Sequence, residues 1–239
     1  LRNMPGVELE QFYGEVRNVR LGGLDSDYSS VTINGVSLAS ADANGFNLGG
    51  SRAFTTEMVS LNSMESIEVS KTISADSDAN APAGTINLRT KRAFDRAGRR
   101  MSWQTNVAIH SEEFTLHKTR GPLEDGQGHL KVRPGAIFDY SDVFFNKRLG
   151  ISLNVSESNV YQETVLNIFS YNRTPTATDT RPEIITGLAF QHAARFSERF
   201  TTTLSADFRA TPRLALGLGF IYNWTDLWHF QREVTFNTG

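Results

Sequence analysis

The stretch "SIEVSKTISADSDANAPAGTINLRTKRAF", Ser66 to Phe94, decides how the rest of the chain is read. Two short apolar alternations, Ile67/Val69 and Ile86/Leu88, flank a small, polar, acidic middle. From Lys91 onward the apolar period becomes two and stays two. A compact, loop-rich first part therefore stands in front of a second part built from strands.

Every segment of the first part is short. Pro5-Gly6 ends whatever helix "LRNMPGV" belongs to, and a chain opening on Leu1 inside such a segment reads as a fragment of a longer one. "VRNVRLGG" carries Val16, Val19 and Leu21 and stops at Gly22-Gly23. "VTINGVSL" alternates, turns at Asn34-Gly35 and resumes, a strong hairpin signal because both turn positions need positive φ. Ala39 to Ala53 reads as one irregular loop of Ala, Asp, Asn, Gly and Ser around Phe46. Asn62 or Ser63 is expected to cap a short helical turn before the strand at Ile67. Gly84 opens the strand "TINLRT".

In the second part Met101, Trp103, Thr105, Val107 and Ile109 share one face. Leu130 to Tyr140, Leu149 to Val155, Phe200 to Phe208 and Leu214 to Trp224 repeat the pattern, apolar residues opposite Gly, Ser, Thr, Asn and charges. Runs of about 9–11 residues match what a tilted strand needs to cross a bilayer, whereas strands of soluble sheets are nearer five or six. Trp103, Tyr140, Phe144, Phe145, Tyr222, Trp224 and Trp228 gather near run ends, as in an interfacial girdle. "NKR" and "TPR" are short connections; His117 to His129 and Asn172 to Pro182 are long and polar. If the short ones share one side, parity makes the stretch around Phe196 part of one long strand reaching back to Ile184.

Totals exclude several classes. Of 239 residues 39% are hydrophobic and 21% charged, which is not a disordered composition. A net charge of -2 without a basic run argues against nucleic acid as a partner. Cysteine is absent, so neither a disulfide framework nor a Cys-based zinc site exists. The five histidines keep no ligand spacing, and "DSDAN" (Asp76 to Asn80) lacks the glycine and closing glutamate of a calcium loop, so no metal and no cofactor is expected. No nucleophile elbow or other catalytic constellation is found, so the chain does not read as an enzyme.

"LRNMPGV", "VTINGV", "SIEVSK" and "APAGTINLRTKRAFD", with the strands after them, resemble TonB-dependent outer-membrane receptors. The resemblance implies an α+β plug domain over residues 1–98, followed over 99–239 by antiparallel transmembrane β-barrel strands. About five strands are present where the family's plugged barrel has about twenty-two, so the barrel is incomplete. It also implies a location in the outer membrane of a Gram-negative bacterium, lipid around the strands, and the periplasmic partner TonB, engaged through a segment this chain lacks. Arg20-Leu21-Gly22-Gly23 stands where the family usually reads Ile-Arg-Gly, and Asn34 where it has aspartate.

The implied function is active uptake of a scarce extracellular solute held between plug apex and barrel loops. "NLRTKRAFD" and the spacing of Lys71-Thr72 and Ala75-Asp76 look most like receptors for carbohydrate, with a ferric siderophore receptor as the close alternative. A soluble carbohydrate-binding or adhesion β-protein is the rival from another class, and a passive porin is disfavoured by the first part. Asn44, Phe46, Asn47 and Arg52 are candidate solute contacts, an aromatic face among amide and guanidinium donors. Arg20, Glu68, Lys71, Arg89 and Lys91 are candidate polar contacts between plug and barrel wall.

Overall fold

The structure is a computed structural model that describes residues 4–12, 15–37, 64–72, 81–95, 98–110, 114–119, 129–175, 177, 180–181 and 183–237. Among the described residues the first part holds six short strands: β1 (Val7–Phe12), β2 (Glu15–Leu21), β3 (Ser29–Ile33), β4 (Val36–Ser37), β5 (Met64–Ser70) and β6 (Gly84–Thr90). β1 and β2 form an antiparallel pair, which includes the Val16 to Leu21 segment expected from sequence. The other four make a sheet in the order β4-β3-β6-β5, with β3 parallel to β6 and β5 antiparallel to it. Inward residues of β1, β2, β3 and β6, among them Val7, Val19, Leu21, Val31, Ile33, Ile86 and Leu88, form one apolar core.

Turn chemistry fixes two of these elements. Asn34 and Gly35 have φ of 52° and 83°, the left-handed pair that a two-residue hairpin requires. Gly84 has φ of 125°, and a Cβ there would collide with the carbonyl oxygen of Ser70 and lie 3.2 Å from Leu21 Cδ1. Only glycine lets β6 begin so close to β5.

One sequence expectation fails here. Glu65 and Ser66 do not sit in the first turn of a helix, because Met64 already pairs with Thr90 and the segment is strand from its first described residue. The proposed caps, Asn62 and Ser63, lie outside the described residues. Among the described residues helix occurs only as 3₁₀ turns at Ser26–Tyr28 and Ala93–Asp95.

The second part holds β7 (Arg100–Ala108), β8 (Lys118–Thr119), β9 (His129–Leu130), β10 (Arg133–Phe144), β11 (Leu149–Asn172), β12 (Ile184–Thr211) and β13 (Leu214–Asn237). Five of them form one sheet in the order β13-β12-β11-β10-β7, while β8 and β9 pair with each other. β12 is a single strand of 28 residues beginning at Ile184, as parity required. The run expected from Leu130 instead starts at Arg133, since Leu130 belongs to the separate β8–β9 pair, where it faces Lys118.

The chain divides into two compact units, one of Leu1–Thr105, Gly135–Ser158 and Arg199–Thr225, the other of Asn106–Pro134, Asn159–Glu198 and Asp226–Gly239. In the first unit the sheet is inverted relative to a soluble protein. Gly150, Ser152, Asn154 and Ser156 of β11 are buried, while Leu149, Ile151, Leu153 and Val155 between them are half-buried. On β12, Thr201, Thr203 and Asp207 are buried, whereas Leu204 and Phe208 are exposed. On β13 a Cβ at Gly217 would lie 3.0 Å from Asp207 Oδ1, which puts Gly217 on Asp207's face and Leu216, Leu218 and Phe220, all more than half exposed, on the other.

Candidate functional site

Where β6 ends, the chain meets the polar face of the long sheet. Lys91, one residue beyond the strand, sends its Nζ 2.8 Å to Asp139 Oδ1 on β10, with both side chains less than one-fifth exposed. Asn154 Nδ2, on β11 directly opposite Asp139, donates to the same oxygen at 2.9 Å. Ser205 Oγ on β12 donates to the Lys91 carbonyl at 3.2 Å. Two strands, β10 and β12, thus grip Lys91 by its charge and its backbone, and β11 steadies the carboxylate that holds it.

The next residues extend the joint. Arg92 Nη1 lies 3.7 Å from Asp207 Oδ1. Phe94 packs against Gly150, where a Cβ would be 3.1 Å from its ring, and the Arg209 guanidinium lies 4.3 Å from the ring centroid. Gly150 leaves room for the aromatic ring, and the cation covers its face. Ile221 of β13 packs against the apolar core of the first part. A half-buried ion pair with added hydrogen bonds is costly to break from one side, because the remaining charge stays desolvated.

The other residues singled out from sequence are placed differently. Arg20 pairs with Glu10 and lies 3.7 Å from Asp25, both within the first part. Glu68 accepts from Arg89 Nη1 at 3.0 Å and from Asn87 Nδ2 at 3.1 Å, across β5 and β6. Asn87 in turn accepts from Thr32 Oγ1 and the Gly35 N–H, each at 3.0 Å, so one polar ladder runs from β5 across β6 to β3 and its hairpin turn. Lys71 donates to the Pro5 carbonyl. Of these five, Lys91 reaches the long strands, while the contacts described for the other four lie within the first part. Asn34 joins the hairpin turn to the end of β6, receiving the Thr90 N–H at 3.1 Å and donating to Thr90 Oγ1 at 2.8 Å. Asn44, Phe46, Asn47 and Arg52 lie outside the described residues.

The second unit holds a cluster that sequence reasoning missed. Lys131, 1% exposed, pairs with Glu163 at 2.8 Å and lies 5.1 Å from the Tyr161 ring centroid. Tyr161 donates to Glu163, and His192 Nε2 is 3.4 Å from it. Arg133 pairs with Glu198 at 2.7 Å and lies 4.9 Å from the Phe196 ring centroid. Beside them His129, Arg133, Phe196, Glu198, Asp226 and Trp228 line a cavity of about 190 Å³. The signal available was Lys131 and Arg133 on the face opposite Val132 and Pro134, but their partners come from other strands. Among the described residues no group of three or more His, Cys, Asp or Glu is gathered as a metal site.

Comparison with known proteins bears on the first part. Residues 1–85 match the family model described as TonB-dependent Receptor Plug Domain. No curated protein and no solved structure matches significantly. The match ends at the second residue of β6. Residues 1–85 are thus similar to the plug domain of the TonB-dependent receptors, proteins of the Gram-negative outer membrane.

Proposed function

We propose that the chain forms the plug, over residues 1–98, and the first wall strands, over 99–239, of a receptor for TonB-dependent active uptake of a carbohydrate. One observation carries the reading. The plug-domain match covers residues 1–85, and the strand it ends in, β6, leads on to Lys91, which the polar face of an inverted sheet holds through Asp139, with Asn154 on the same carboxylate, and through Ser205. A sheet with polar residues turned towards a globule and leucines turned out suits a transmembrane barrel around its plug. The receptor works by binding and gating and not by bond chemistry.

The solute would be captured by many weak contacts, and pulling through TonB would then shift the plug against its wall. Loop residues Asn44, Phe46, Asn47 and Arg52 are proposed contacts on the plug. The cavity at Trp228 supports a hydroxyl-rich solute. Arg133 is already paired with Glu198, and Asp226 adds a second carboxylate, so the lining does not attract an anionic ferric chelate. The test is deletion of the full-length gene. Loss of TonB-dependent uptake of labelled oligosaccharide, with ferric siderophore uptake intact, is expected; the reverse pattern assigns a siderophore, and loss of neither rejects both.

A further inference from the structure

Two hairpin turns lie side by side in the first unit, 145–148 between β10 and β11 and 212–213 between β12 and β13. The first is bonded to the end of β12 that leads into the second. The Arg209 N–H donates to the Arg148 carbonyl at 2.7 Å, and Arg148 Nη2 donates to the Ala210 carbonyl at 2.9 Å. Between them lies a cleft whose lining includes Lys147, Arg148, Arg209 and Arg213 and no carboxylate. The excess is local, because the whole chain has 24 Lys and Arg against 26 Asp and Glu.

Leu214 also lines this cleft, and from it an exposed apolar column runs up β13 through Leu216 and Leu218. A site that is cationic at its base and apolar along one side fits a molecule with an anionic head and a hydrocarbon tail. We infer that the cleft seats the phosphate headgroup of an anionic phospholipid, its acyl chain lying along Leu214, Leu216 and Leu218. Guanidinium groups match phosphate oxygens in charge and in forked geometry. Lys147 adds a mobile point charge, and the Arg148 bonds to the neighbouring turn hold the cleft open at fixed width. An uncharged headgroup brings no anion, and a zwitterionic one brings its own cation to the phosphate, so neither balances Lys147 and Arg213 as well. This site rests on the reading of the long strands as a membrane wall.

The experiment uses the full-length receptor in nanodiscs of mixed phosphatidylglycerol and phosphatidylcholine, with native mass spectrometry of the lipids that stay bound. The wild type should retain phosphatidylglycerol with roughly tenfold preference. The double variant Lys147→Gln, Arg213→Gln, which spares Arg148 and its carbonyl bonds, should lose most of it. A wild type without preference overturns the site, as does a double variant that keeps it. Inorganic phosphate at millimolar concentration should not displace the lipid; full displacement would assign the cleft to free phosphate and remove the lipid. A receptor that enters nanodiscs as a heat-modifiable barrel yet shows no selectivity loses this site alone. One that never enters them loses the membrane wall as well.

Discussion

At the scale of the residue, the joint turns on Lys91. Its ion pair with Asp139 is mostly withdrawn from water, and Asn154 occupies the same carboxylate oxygen. Replacing Lys91 by Met strands a desolvated carboxylate. It is expected to cost about 3 kcal/mol in the full-length receptor, read as a lower urea midpoint for plug unfolding. The double variant Lys91→Met, Asp139→Leu should recover much of that loss, because no unpaired charge is left. If the single and double variants unfold together, the pair contributes nothing to the joint. Gly84 sets a second, independent demand. Ala at φ of 125° adds strain and meets the Ser70 carbonyl, so Gly84→Ala should destabilise the plug by at least about 1–3 kcal/mol, measured the same way. An unchanged midpoint would mean that β6 can begin elsewhere. On the plug loop, Phe46→Ala with Asn47→Ala is expected to weaken equilibrium solute binding by about 1–3 kcal/mol in total while leaving barrel heat-stability unchanged. Unchanged affinity would make that loop a spacer.

At the scale of the element, the long strands explain where charge is tolerated. Leu216 sits on the face opposite Gly217 and Asp207 and is 56% exposed. Leu216→Arg is expected to impair folding into vesicles by about 2–4 kcal/mol if the position lies near the bilayer midplane, whereas Gly217→Ser on the other face should be far milder. Equal effects would mean that the sheet has no lipid face. Elements with a local cause were legible in sequence. Asn34-Gly35 announced its hairpin, and alternation announced the strands and the length of β12. Pairings with distant causes were not. Nothing around Met64 shows that it must align with Thr90, and nothing in "VELEQF" shows that β1 pairs with β2. The same limit governs the charged sites. Glu163 and Glu198 lie 32 and 65 residues from the cations they meet, so the cluster exists only once register is set. Lys91 could be singled out because it follows a strand end, but Asp139 could not be named as its partner.

At the scale of the whole molecule, the proposal is a plug fastened at Lys91 to the polar inner face of a wall whose outer face would meet lipid. The plug has its own core and its own sheets, so it can hold its shape while bonds to the wall change. The wall offers it threonine, serine, asparagine and paired charge, groups that can exchange partners or water at small net cost. Residues 1–239 hold no cysteine, so once any cysteine elsewhere in the full-length receptor is replaced, each label introduced among them is unique. Single nitroxide labels at Leu204, Phe208, Leu216, Leu218 and Phe220, and at Thr203, Ser205, Asp207 and Gly217, would be read in the full-length receptor in bilayers against molecular oxygen and a water-soluble paramagnetic nickel complex. The account predicts high oxygen and low nickel accessibility at the first five sites and the loss of that signature at the other four, alternating along both strands. Equal nickel accessibility on the two faces, or a lipid signature at Asp207 and Gly217, would contradict it.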